Sequence, residues 1–69
     1  MQIPTIRRKL VKLGMNVADI RVKDTTEGPH VCVYIKNDRW VCAAVPIENE
    51  KDEEFADYLF SERNKALKK

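Results

Sequence analysis

The hydrophobic pattern of this chain changes period after Leu13 and again after Pro46, and these changes constrain the fold more than any other feature. Ile6, Leu10 and Leu13 recur at helical spacing, with Arg8, Lys9 and Lys12 on the opposite side and Arg7 and Val11 on the flank. Pro4 suits a first helical turn, where its missing N–H has no partner to lose, and Gly14 stands where helices commonly stop. The expected helix runs from Pro4 to Leu13.

From Val17 the pattern alternates. Ala18, Ile20 and Val22 interleave with Asp19, Arg21 and Lys23, as in a half-buried strand. Thr25-Thr26-Glu27-Gly28-Pro29 is turn chemistry. His30 to Lys36 and Trp40 to Val45 are rich in β-branched and aromatic residues, joined by a tight hairpin at Asn37-Asp38-Arg39 and closed by Pro46. Asn49 suits an N-cap, and Asp52, Glu53 and Glu54 favour the positive pole of the helix that follows. Phe55, Ala56, Leu59, Phe60, Ala66 and Leu67 form its apolar face, which predicts a helix from Glu50 to Leu67. The expectation is one α+β domain spanning 1–69, ordered α-β-β-β-α, with both helices on one face of a three-stranded antiparallel meander.

The hairpin register decides which side chains occupy the uncovered sheet face, because a slip of one residue exchanges the faces. A two-residue Asn37-Asp38 loop pairs Ile35 with Trp40 and puts Val31, Val33, Ile35, Trp40 and Cys42 together. A three-residue loop through Arg39 gives a core of Val31, Val33, Ile35, Val41, Ala43 and Val45. His30, Cys32, Tyr34, Trp40 and Cys42 then line the other face. The second register makes the cleaner aliphatic core and is preferred.

Sixty-nine residues leave room for one modest core, and no apolar run approaches the ~20 residues of a membrane span. Arg7, Arg8, Lys9 and Lys12 interrupt the N-terminal hydrophobics, unlike an export signal, so a cytoplasmic protein is expected. Cys32 and Cys42 sit among apolar neighbours in strands, where free cysteine acts as a small hydrophobe. Two buried thiols are the expectation, with a disulfide or a metal site as the alternative. Two cysteines and one histidine do not complete a zinc site, so no metal or cofactor is expected.

The net charge of +2 conceals a gradient. Residues 1–24 carry six cations against Asp19 and Asp24, whereas 47–69 carry seven acids against five cations. Such a dipolar chain suggests charged partners. Arg8, Lys9 and Lys12 could meet a phosphate backbone, and Tyr34 and Trp40, with Arg21 and Lys23 nearby, could stack bases on an open sheet. The acidic residues Glu50, Glu53, Glu54 and Asp57 could instead meet a basic protein. His30 is the one histidine, and imidazole gives and takes protons near neutral pH.

Helix, three strands and helix in about seventy residues resembles the double-stranded RNA-binding domain, whose Gly-Pro-x-His turn before the second strand is similar to Gly28-Pro29-His30. That resemblance implies the same architecture. Where that family has a lysine cluster at the start of its last helix, this chain has Asp52-Glu53-Glu54. The chain is also similar to the HicA toxins. Leu10-Val11-Lys12-Leu13-Gly14 looks like the end of their first helix, Gly28-Pro29-His30 like their Gly-Ser-His, and Val45-Pro46 like the close of their third strand. This second resemblance implies an RNA-cleaving activity with His30 as general acid or base.

The leading expectation is a non-enzymatic regulatory binding module that contacts nucleic acid, RNA before DNA, through the first helix or the open sheet face. The alternatives are a HicA-like toxin acting through His30 and a protein-interaction module or inhibitor using the acidic start of the last helix. An uncovered edge strand would also permit a homodimer.

Overall fold

A computed structural model describes residues 3–46 and 52–68. Its elements are α1 (Ile3–Lys12), a 3₁₀ turn (Val17–Asp19), β1 (Ile20–Thr25), β2 (Gly28–Tyr34), β3 (Trp40–Ala44) and α2 (Asp52–Leu67). The strands form one antiparallel sheet in the order β1-β2-β3, so the α-β-β-β-α expectation holds. The expected N-cap Asn49 and first helical residue Glu50 lie outside the described residues.

α1 stops as its sequence suggests. Gly14 takes φ +115°, its N–H donates to the Val11 carbonyl at 3.0 Å, and the Met15 N–H reaches back to Leu10 at 3.1 Å. This is a Schellman ending, and its usual hydrophobic partners, here Met15 and Leu10, are both buried. The chain then departs from the expected strand at Ala18. Val17–Asp19 coil into a 3₁₀ turn in which the Asp19 N–H donates to the Asn16 carbonyl at 3.0 Å, leaving Ala18 exposed. Alternation alone does not separate this turn from the strand it leads into.

The β1–β2 turn is also tighter than expected. Thr25 pairs with Gly28, so only Thr26 and Glu27 lie between, and Gly28 and Pro29 belong to β2. Gly28 takes φ +108°, a value that a side chain opposes. The Thr25 hydroxyl donates to the Gly28 carbonyl at 2.8 Å and accepts the Glu27 N–H at 3.2 Å, which ties the turn together. Pro29 is tolerated in a central strand because it lies near the end of the ladder.

The β2–β3 hairpin combines features of both expected loops. Asn37 and Asp38 form a two-residue turn with φ +51° and +59°, closed by the Arg39 N–H on the Lys36 carbonyl at 2.9 Å. The Ile35 N–H, however, donates to the Arg39 carbonyl at 2.8 Å, so Ile35 and Lys36 both oppose Arg39. This bulge adds one residue and reverses the faces that a plain two-residue loop would give. Tyr34 then pairs with Trp40, Val33 with Val41 and Cys32 with Cys42. The faces are those of the preferred register, although the pairing is shifted.

One core fills the space between helices and sheet. Ile6, Leu10, Val31, Val33, Ala56 and Leu59 are almost wholly buried, joined by Met15, Ile20 and Val45, with Phe55 and Phe60 packed against them. Complete burial of each large aliphatic side chain contributes roughly 1.5–3 kcal/mol. The two helices pack on each other, and α2 also lies against β2 and β3. Val22 on the outer strand β1 remains 36% exposed.

Candidate nucleic-acid interface

Cross-strand neighbours in an antiparallel sheet share a face. The pairs Arg21–Cys32, Lys23–His30, Cys32–Cys42 and Tyr34–Trp40 therefore carry one set of side chains across the sheet, away from the helices. Four of the seven proposed nucleic-acid residues, Arg21, Lys23, Tyr34 and Trp40, are brought together there. His30 joins them.

The aromatic pair meets edge to face, with ring centroids 5.2 Å apart and planes at 76°. The Arg21 guanidinium carbon lies 4.6 Å from the Trp40 ring centroid, a cation–π contact that holds the charge over the indole. The Asp38 N–H donates to Tyr34 Oη at 3.3 Å and helps fix the phenol beside the hairpin. Arg21, Val22, Lys23, Cys32, Trp40 and Cys42 border a depression of about 390 Å³.

His30 lies at the margin of this face, half-buried. Its Nδ1 is 3.3 Å from the Gly28 carbonyl and 3.4 Å from Thr25 Oγ1. The carbonyl only accepts, and the Thr25 hydroxyl hydrogen is directed to that carbonyl, so both neighbours call for a hydrogen on Nδ1. In the neutral ring Nε2 then keeps its lone pair.

Arg8, Lys9 and Lys12 do not join this set. They lie on α1, in the helical layer across the sheet from Trp40. Lys9 Nζ is 4.0 Å from Asp57 Oδ1, so one candidate cation faces one candidate acid between the helices. Glu53, Glu54 and Asp57 are exposed along the start of α2, whereas Asp52 is 5% exposed. Glu50 lies outside the described residues.

The expectation of two thiols is corrected, because Cys32 and Cys42 are joined by a disulfide. They occupy directly opposed positions of β2 and β3 with Cα atoms 4.0 Å apart. Either cysteine read along its own strand looks like a core position. The register preferred from the sequence puts both on the outer face, and the hairpin bulge shifts the pairing so that they stand directly opposite each other. Among the described residues, no group of three or more histidine, cysteine or acidic side chains is arranged to hold a metal ion, and no helix is long and apolar enough to cross a membrane.

Arg63, which no sequence motif marks, ties α2 to the sheet. Its Nε donates to the Tyr34 carbonyl at 3.2 Å and its guanidinium lies 5.8 Å from the Phe60 ring centroid, anchoring the strand end that carries the aromatic pair. No protein-family model, curated protein or solved structure matches the chain.

Proposed function

We propose that the uncovered sheet face binds a short stretch of single-stranded nucleic acid, RNA before DNA, and that the protein is a small non-enzymatic regulatory module. The observation that carries this reading is the association of Trp40, Tyr34 and Arg21 on one solvent-facing surface, with Lys23 beside them. Bases stack on aromatic rings and on guanidinium planes, and cations at the rim meet phosphates. The two rings, Tyr34 and Trp40, offer stacking surface for about two bases. Cytoplasmic residence, where RNA is abundant, belongs to the same reading.

Phosphate contacts through Arg21 and Lys23 alone would give a shallow salt dependence, with a log–log slope near about −1.4 for a single strand. Engagement of the α1 cations as well would steepen it. Amide chemical-shift titration with a short single-stranded RNA tests the reading. Shifts clustered on Arg21, Lys23, His30, Tyr34 and Trp40 are expected. Shifts confined to Arg8, Lys9 and Lys12 would move the interface to α1, and no shifts at low salt would remove nucleic acid as the partner.

The alternative RNA-cleaving reading draws on the orientation of His30. With hydrogen on Nδ1, Nε2 can accept a proton from an RNA 2′-hydroxyl. Incubation of labelled RNA with wild-type and His30→Ala protein tests it: cleavage lost in the variant supports the enzyme, and intact RNA with wild type rejects it.

A further inference from the structure

We propose that Cys32–Cys42 is a reversible thiol–disulfide exchange site, attacked at Cys42 by an anionic low-molecular-weight thiol such as glutathione. This does not depend on RNA binding. It rests on how the disulfide is presented, the charges around it and the independence of the surrounding ladder.

The two cysteines differ in exposure. Cys42 is exposed on the outer strand β3, whereas Cys32 on the central strand is 5% exposed. An incoming thiolate therefore meets the Cys42 sulfur first. It forms a bond to Cys42 Sγ while the Cys42–Cys32 bond breaks, and the electron pair leaves on Cys32 Sγ as a thiolate. A second thiol, as thiolate, attacks the external sulfur of the mixed disulfide and releases Cys42 as a thiolate. Protein dithiol and oxidised glutathione result, with two electrons passing from two glutathiones to the protein. The reverse sequence restores the bridge.

Arg21 and Lys23 border the same depression as both cysteines. Arg21 is the direct cross-strand neighbour of Cys32, on the leaving sulfur's side. Their charges attract the carboxylates of glutathione and stabilise the negative charge that develops on Cys32. The depression, about 390 Å³, offers the attacking thiol a seat beside Trp40.

The fold supplies the reverse step as well. Cys32 and Cys42 are held opposite each other by main-chain bonds on both sides, Val45 to Pro29 at 3.0 Å and Ile35 to Arg39 at 2.8 Å. The main hydrophobic core lies on the helical side of the sheet. Cleavage of the bridge therefore leaves the ladder in place, and the two thiols remain positioned to close again.

The test uses the full oxidised chain in buffers of graded reduced and oxidised glutathione at neutral pH. Samples are acid-quenched, alkylated and mapped by peptide mass. Expected are a glutathione adduct on Cys42, formation of the dithiol without denaturant, and return of the bridge when oxidised glutathione is added. Removing either charge, by Arg21→Gln or Lys23→Gln, should slow reduction about two- to fivefold at low ionic strength. That difference should shrink in salt. Circular dichroism of reduced wild-type protein should keep the oxidised spectrum, and this arm requires no variant to fold. An adduct mapped to Cys32, reduction only in denaturant, or equal rates for wild type and both charge variants would overturn the proposal.

Discussion

The Arg63 guanidinium on α2 donates through Nε to the main-chain carbonyl of Tyr34 at 3.2 Å, across 29 residues of sequence. The odd-numbered groups of β2 bond towards β3, as the Val45–Pro29 bond shows, so the Tyr34 carbonyl points towards β1. β1 begins only at Ile20, opposite Val33, and the Asp19 N–H is already used on Asn16. Arg63 supplies the donor that the shortened strand does not. Arg63→Ala should destabilise the fold by ~1.5–3 kcal/mol, the usual worth of a hydrogen bond to a charged group. Urea unfolding checks this as a lowered midpoint with an unchanged slope.

Leu59 is wholly buried between α2 and the rest of the core. Leu59→Ala should cost ~2–5 kcal/mol through lost burial and the cavity left behind. A core of this size supplies about 3–5 kcal/mol in total. Thermal unfolding followed by circular dichroism should therefore show a strongly lowered midpoint; native-like thermal stability would contradict the packing described.

Asn37 and Asp38 both hold positive φ in the β2–β3 turn. Glycine is favoured at the second of these positions, so Asp38→Gly should stabilise by ~0.5–1 kcal/mol. The opposite sign is expected for Gly28→Ala, where φ is +108° and nothing crowds the added methyl. Its cost, ~1 kcal/mol or more, would come from backbone conformation alone. Paired urea melts should move in opposite directions.

Trp40→Ala should weaken binding of single-stranded RNA by ~1–3 kcal/mol, the range for loss of one base-stacking ring. Arg8→Gln, in the helical layer, should leave that affinity nearly unchanged. Fluorescence anisotropy with a labelled oligonucleotide compares them, and equal losses would argue for a diffuse electrostatic association instead.

Lys9 and Asp57 meet at 4.0 Å with substantial exposure, and Asp57 is 57% exposed. Asp57→Asn should change stability by less than ~0.5 kcal/mol, because water and salt screen such pairs. A larger loss in a urea melt would assign the pair a role in helix docking.

Element type and order were legible in local patterns. Ile6, Leu10 and Leu13 specify a helix whatever surrounds them, and Gly14 marks its end because few other residues accept its backbone angle. The acidic first turn and apolar face of α2 are equally local. The start of β1 was not legible, since Val17–Asp19 satisfy an alternating pattern while coiling into a turn. Nor was the partner of Cys32: the preferred register gave its face, but its pairing depends on a bulge at Ile35 and Lys36 that no single strand encodes. Local sequence determined which segments are helices and strands, since period and backbone preference act within a few residues. Tertiary structure decided which side chains share the open face, because strand register is settled only when distant segments pair over a common core.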